Sequence, residues 1–294
     1  MGVNVDQPPR IWVIGASGYV GSRLLAAAAQ LGEAYGTSTR GGNGLLALDL
    51  QAPAAFDYAA IAAGDVVIVC AAVSSPDVCA NDPVYATAVN VTGCSEVITR
   101  ATERGAKVIF LSSDTVYGPA PTAVNEDAPC HPLGAYAQMK RAVEQRFAGH
   151  ASVRIARLSY VLSADDKFSR YIAGCAAKGQ PAEIFHPFFR NAIYREDVIE
   201  GLLAMACNWS DLPPQMAVVN FGGPAAVSRL DIAQAWQSHA FPDLQMTVIE
   251  PEEAFFEERP RHIHLDTHHL AAILGRAPLT ITQAIQADFG NGDH

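Results

Sequence analysis

The chain lacks the marks of several protein classes. None of its six cysteines (Cys70, Cys79, Cys94, Cys130, Cys175 and Cys207) forms a CxxC pair, and their gaps are long and irregular. That pattern predicts reduced, mostly buried thiols in a cytoplasmic protein. No apolar run approaches the length of a transmembrane helix. Residues 1–10 are polar and hold no apolar signal-peptide core; the first nine, with Pro8 and Pro9, read as a loose tail. Basic residues are scarce: 20 Lys and Arg stand against 30 Asp and Glu, a formal net charge of -10. That balance argues against nucleic acid or an anionic membrane as partner. There is no internal repeat and no low-complexity tract. What is present is bulk and apolarity. Half of the 294 residues are hydrophobic, enough for one large α/β domain or a nucleotide-binding domain with a smaller lobe.

Short apolar runs alternate with helical stretches through the first 160 residues. Strands are expected at Arg10–Gly15, Ala34–Ser38, Leu45–Leu50, Asp65–Cys70, Lys107–Ser112 and Val153–Leu158. Helices are expected at Tyr19–Leu31, Val84–Arg104 and Ala135–Phe147. Near-continuous apolar strands separated by helices imply a parallel sheet covered on both faces, a doubly wound Rossmann fold. Beyond residue 160 prolines punctuate the chain. Helices are expected near Asp166–Lys178, Glu196–Trp209, Ser228–His239 and Leu270–Leu274, and strands at Ala217–Phe221 and Gln245–Glu250. The division predicted is a dinucleotide-binding domain over 1–160 and a mostly substrate-binding lobe over 161–294, with some segments returning to the first domain.

The first strand runs into Gly15-Ala16-Ser17-Gly18-Tyr19-Val20-Gly21 and then into a helix. Glycine here permits a tight turn and close approach of backbone N–H groups to a pyrophosphate at a helix N-terminus. The spacing is GxxGxxG, and the bland alternative is a plain glycine turn. Position after a strand and before a helix favours dinucleotide binding. NAD enzymes place an acid near the end of strand two. This chain has Gly36-Thr37-Ser38-Thr39-Arg40, and Arg40 can pair with a 2′-phosphate. NADP is therefore expected, with NAD as the alternative; Arg40 as a solvated loop charge is the bland reading. Asp49 can meet the adenine edge or simply shape a turn.

Tyr136 and Lys140 are four residues apart, on one face of the expected helix. A neighbouring ammonium would favour phenolate and draw the tyrosine pKa toward neutrality. Alone, such a pair is an ordinary surface feature. The strand Lys107–Ser112 delivers Ser113 to the carboxyl end of a sheet, where α/β folds bind ligands.

Together GASGYVG, DVVIVCAA, the asparagine of VNVTG, LSSDTVYG and YAQMK resemble the extended short-chain dehydrogenase/reductases. AAVSSPDVCANDPVYATAVNVTG, NFGGPAAVSRLDIAQAW and RPRHIHLD resemble the dTDP-4-dehydrorhamnose reductases and related sugar-nucleotide enzymes. The resemblance implies Ser113, Tyr136 and Lys140 as the catalytic set. It implies Gly15, Ser17, Gly18, Tyr19, Val20, Gly21, Arg40, Asp49, Ala71, Asn90 and Lys140 at the cofactor, and Ser75, Asp114 and Arg259 at the substrate. It also implies a homodimer packed through Val84–Arg104 and Ala135–Phe147. Departures are visible. Serine stands at 113 where the reductases usually show threonine, and VYG is more epimerase-like. Thr115 occupies the position of the dehydratase glutamate, so the base that removes a C5 proton is missing.

Arg190, Asn191 and Arg195 can reach a substrate diphosphate, with surface salt bridges as the bland reading. His262, His264, His268 and His269 crowd one segment without an accompanying ligand set, so no metal is expected. The acidic run Glu250–Glu258 reads as a solvated helix. Three functional readings follow. The first is NAD(P)H-dependent reduction of a keto group on a nucleotide-linked sugar. The second is a 4-epimerase with tightly bound NAD, and the third a non-catalytic regulatory subunit that kept the nucleotide.

Overall fold

The computed structural model describes residues 8–290. All but the last two residues of the expected N-terminal tail lie outside that range. Seven parallel strands form the main sheet: β1 (Ile11–Ile14), β2 (Ala34–Ser38), β3 (Leu46–Ala47), β4 (Val66–Val69), β5 (Lys107–Ser113), β6 (Val153–Leu158) and β7 (Val218–Phe221). Their order across the sheet is β3-β2-β1-β4-β5-β6-β7. The order reverses between β1 and β4, which opens a crevice at the carboxyl ends of the strands. This is the doubly wound fold that the apolar runs predicted.

The strands β1, β4 and most of β5 are buried on both faces, which is why they read as unbroken apolar runs. One face packs Val13, Ile68 and Ile109 against Leu24 and Ala28 of α1 (Tyr19–Leu31). The other packs Trp12, Val67 and Phe110 against Val97 and Ile98 of α2 (Cys94–Glu103) and Val143 of α3 (Gly134–Arg146). Segments after residue 160 join the first of these cores: β7 itself, Leu202 and Met205 of α4 (Arg195–Cys207), and Leu270. A separate core gathers Phe168, Ile172, Ile184, Ile232 and Trp236, the last two on α5 (Arg229–His239).

Three departures from expectation have physical causes. The single helix foreseen over 84–104 is a short α-helix Pro83–Thr87, a π-helical turn Ala88–Gly93, and α2. Gly93 lies against Leu50, where an added Cβ would sit 2.1 Å from the Leu50 carbonyl oxygen. Asn90 is drawn inward to bond Val73. Of the acidic run, only Glu253–Phe256 is helical; Glu250, Glu252, Glu253 and Glu257 are exposed as a solvated face would be, while Phe256 between them is buried. The helix Ile281–Gly290 and the pairing of Ala120–Val124 with Ile263–Leu265 were not foreseen. The three-residue strand Ile263–Leu265 is too short for a period-2 signal, and its pairing is decided by a distant segment.

Candidate active site

The carboxyl ends of the strands border two cavities, of about 950 and 730 Å³. Ser113 and Tyr136 line both, and so stand where the two join.

The larger cavity is a groove over the glycine turn. Gly15, Ser17, Gly18, Tyr19, Val20 and Gly21 line one end, and Asp49 and Ala71 flank it. The turn is forced. Gly15 has φ +87°, and a Cβ there would lie 2.8 Å from Ala71. A Cβ on Gly21 would lie 2.3 Å from the Gly15 carbonyl oxygen. Lys140 and Leu111–Ser113 border the groove, and the Ser112 hydroxyl is buried without a hydrogen-bond partner among the described residues. A glycine cradle at a helix start, with free polar groups further along, fits a dinucleotide. Arg40 is exposed at the end of β2 and makes no ion pair or hydrogen bond among the described residues; its neighbours Ser38 and Thr39 line the groove. Asn90 was expected at the cofactor. It is instead buried behind the wall, accepting from the Val73 N–H at 2.8 Å and donating to the Val73 carbonyl at 3.0 Å. It shapes the Ala71–Ser75 wall rather than facing the groove. Ser75, expected at the substrate, lines the groove and caps the helix Pro76–Asn81.

At the junction, α3 carries Tyr136 and Lys140 one turn apart. Lys140 is buried and donates to the Leu111 carbonyl at 2.7 Å; its ammonium also lies 4.7 Å from the Phe110 ring centre. Burial pushes its pKa down. Burial pushes the Tyr136 pKa up, Asp114 adds to the rise, and the nearby Ser113 hydroxyl opposes it. The sequence led us to expect Lys140 to draw this tyrosine toward neutrality. In this structure desolvation outweighs any such effect. Asp114 is buried, accepts from Ser159 at 2.7 Å and from Ser113 at 3.3 Å, and has its pKa raised chiefly by burial.

The smaller cavity holds Arg190, Arg229 and Arg259 and the rings of Phe168, Phe185 and Phe255. Arg190 donates to the Phe189 and Pro260 carbonyls and lies 3.8 Å from Asp114; burial lowers its pKa to about 10. Arg259 pairs with Asp77 at 2.5 Å. Asn191 lines neither cavity. It is a buried brace, donating to Gly223 and accepting from the Leu265 N–H. Arg195 is likewise spent, on Asp165 and Glu196. Tyr117, the mark of the epimerase-like VYG, is buried and donates to Asn220, so it serves the interior. Of the crowded histidines, His268 and His269 come within 4.8 Å of Glu126, and His269 lies 3.3 Å from its carboxylate. That acid was not foreseen from the sequence. Also missed were Arg229, Ser159, Tyr160 and the phenylalanine wall. For Arg229 the available signal was the start of a helix, Ser228 to Asp231, which forms a capping box.

A doubly wound parallel sheet with a serine, tyrosine and lysine gathered at its carboxyl edge defines the extended short-chain dehydrogenase/reductase class. Within it, the chain belongs to the RmlD substrate binding domain family, whose model matches residues 9–290. A dTDP-4-dehydrorhamnose reductase of Mycobacterium tuberculosis is 30% identical over 239 residues, covering 77% of this chain and 74% of that protein. The methionine adenosyltransferase 2 subunit beta of Xenopus laevis is 35% identical over 94 residues, 31% of this chain and 28% of that one. Among solved structures, a hypothetical dTDP-4-dehydrorhamnose reductase from Sulfolobus tokodaii superposes with a TM-score of 0.79 at 18% identity, covering 94% of this chain and 99% of that one. A UDP-glucuronic acid 4-epimerase from Bacillus cereus, in complex with UDP-glucuronic acid and NAD, gives 0.77 at 20% identity over 96% and 98% of the two chains. The family match runs through nearly the whole described chain, and the solved structures share its Rossmann fold.

Proposed function

We propose that this chain reduces a keto group on a nucleotide-linked sugar, as a 4-keto-sugar reductase that favours NADP(H). The observation that carries the reading is the position of Tyr136. It sits at the junction of the two cavities with its pKa pushed up, so at neutral pH it is a phenol. A protonated phenol is a donor, which is what the oxygen of a carbonyl under reduction requires. Reduced nicotinamide dinucleotide, when bound, supplies hydride. Tyr136 gives its proton to the substrate oxygen, and Ser113, turning its hydroxyl away from Asp114, donates to the same oxygen. Lys140 is pinned by the Leu111 carbonyl and keeps two further N–H donors for ribose hydroxyls. The mycobacterial relative, a dTDP-4-dehydrorhamnose reductase by name, supports the same direction.

A regulatory subunit has no use for a complete serine–tyrosine–lysine set. Arg40, exposed just past β2 where an acid would favour NAD and without an ion pair among the described residues, supports NADP.

The test is a panel of nucleotide sugars and their 4-keto forms, screened by heat stability and followed by NADPH oxidation. Stoichiometric oxidation is expected. Interconversion without net cofactor consumption, with cofactor retained through purification, would refute the reductase. Arg40→Ala should lose about 10- to 100-fold in kcat/KM for NADPH and little for NADH; equal kcat/KM values for the two cofactors, unchanged in the variant, would end the NADP assignment.

A further inference from the structure

Three guanidinium groups line the smaller cavity, and two are answered within the chain. Arg190 has Asp114 and two carbonyls; Arg259 has Asp77. Arg229 has neither an acid nor a hydrogen bond among the described residues. Its surroundings are rings: Phe168, Tyr160 and Phe188, with ring centres 4.6, 5.3 and 5.8 Å from its guanidinium carbon. The acid nearest in sequence, Asp231, is taken by the Ser228 N–H and hydroxyl in the capping box. Arg229 also stands in the first turn of α5, at the positive end of the helix dipole, so the helix opposes its charge rather than offsetting it. Aromatic faces hold and orient a guanidinium but do not neutralise it. Arg229 lines both cavities, as Ser113 and Tyr136 do, whereas Arg190 and Arg259 line only the smaller.

We propose that Arg229 binds an oxyanion of the substrate, phosphoryl or carboxylate, at the end of the substrate cavity that opens on Ser113 and Tyr136. The inference rests on the nucleotide-sugar reading above and adds a specificity-determining residue to it. A planar guanidinium free on its polar edge takes such a group through two parallel hydrogen bonds. The aromatic clamp fixes the fork before the ligand arrives, so little side-chain freedom is lost on binding.

The experiment is calorimetric titration of the full chain with UDP, dTDP, UDP-glucose and UDP-glucuronic acid, in wild type, Arg229→Gln and Arg229→Lys. NADPH affinity and thermal midpoint serve as controls for an intact fold. Arg229→Gln should weaken the anion-bearing ligand about 10- to 100-fold. Arg229→Lys should recover part of the loss, and NADPH affinity should hold. A loss already present with UDP or dTDP identifies the oxyanion as the diphosphate. A loss seen with UDP-glucuronic acid but not with UDP-glucose identifies a sugar carboxylate. Affinities within twofold of wild type for every probe in Arg229→Gln would overturn the role of Arg229 and leave the reductase reading standing. A wild-type chain that binds NADPH but none of the probes would overturn both.

Discussion

The helix that carries Tyr136 and Lys140 is held to the sheet by a buried ion pair whose removal should be costly. Arg157 on β6 donates to both oxygens of Glu144 on α3, at 3.0 and 2.8 Å. The two side chains are 3% and 1% exposed. Arg157 also donates to the Tyr117 hydroxyl at 2.8 Å and to the Glu126 carbonyl at 3.2 Å. Glu144→Gln strands that guanidinium among groups that cannot neutralise it, and breaking a buried pair from one side costs about 3–5 kcal/mol. Arg157→Met should cost less, because Glu144 keeps Arg141 at 2.8 Å, a partner that is 30% exposed. Removing both charges, as Glu144→Gln with Arg157→Met, should recover a good part of the loss, since neither charge is then left buried without its partner. Urea unfolding at neutral pH measures all three. Losses below about 1 kcal/mol for Glu144→Gln, or a double variant worse than the sum of the singles, would refute the view that this pair is buried, mutually dependent and the brace of α3.

Tyr136→Phe should cut kcat by about 10²- to 10⁴-fold with little change in cofactor affinity, read by steady-state kinetics and cofactor titration on the substrate found by the panel; near-full activity would sink the mechanism. Because the Tyr136 pKa is raised, the reductive kcat should show no falling limb from this residue below pH of about 10, the value of a free tyrosine. Lys140→Met should abolish activity yet raise stability at neutral pH by roughly 0.5–2 kcal/mol, as relief of a functional strain does. The sign follows from the lowered pKa: between the folded value and 10.5 the unfolded chain holds a proton that the folded chain has released, so wild-type stability rises with pH through that window. The advantage of Lys140→Met, measured by denaturation at stepped pH, should therefore shrink as pH climbs toward 10.5; a constant difference would show that the buried ammonium is not its source. The chain should form a homodimer through the 84–104 and 135–147 helical faces, where Val84 is 81% exposed; a monomer mass by light scattering at micromolar concentration would argue against it.

Local pattern determined much of this protein. The strand Val153–Leu158 and the helix Tyr19–Leu31 fall where the sequence puts them, because a strand buried on both faces and an alanine-rich helix each carry their pattern in their own residues. The glycine turn was legible for the same reason: a +87° φ at Gly15 and the closeness of Gly21 to its carbonyl are needs that only glycine meets. What a residue faces was not legible. Asn90 and Asn191 looked like ligand contacts and are interior braces; of the two readings of Arg195, substrate diphosphate or salt bridge, the structure has the salt bridge. Arg229 drew no notice, yet lies between the two cavities. The partners lie far along the chain: Val73 is 17 residues from Asn90, and Leu265 is 74 from Asn191. The tyrosine's pKa was misjudged on the same ground. Its neighbour four residues along was visible in the sequence, while the burial that outweighs it arises only when β5, α3 and the loop after β4 close around the ring.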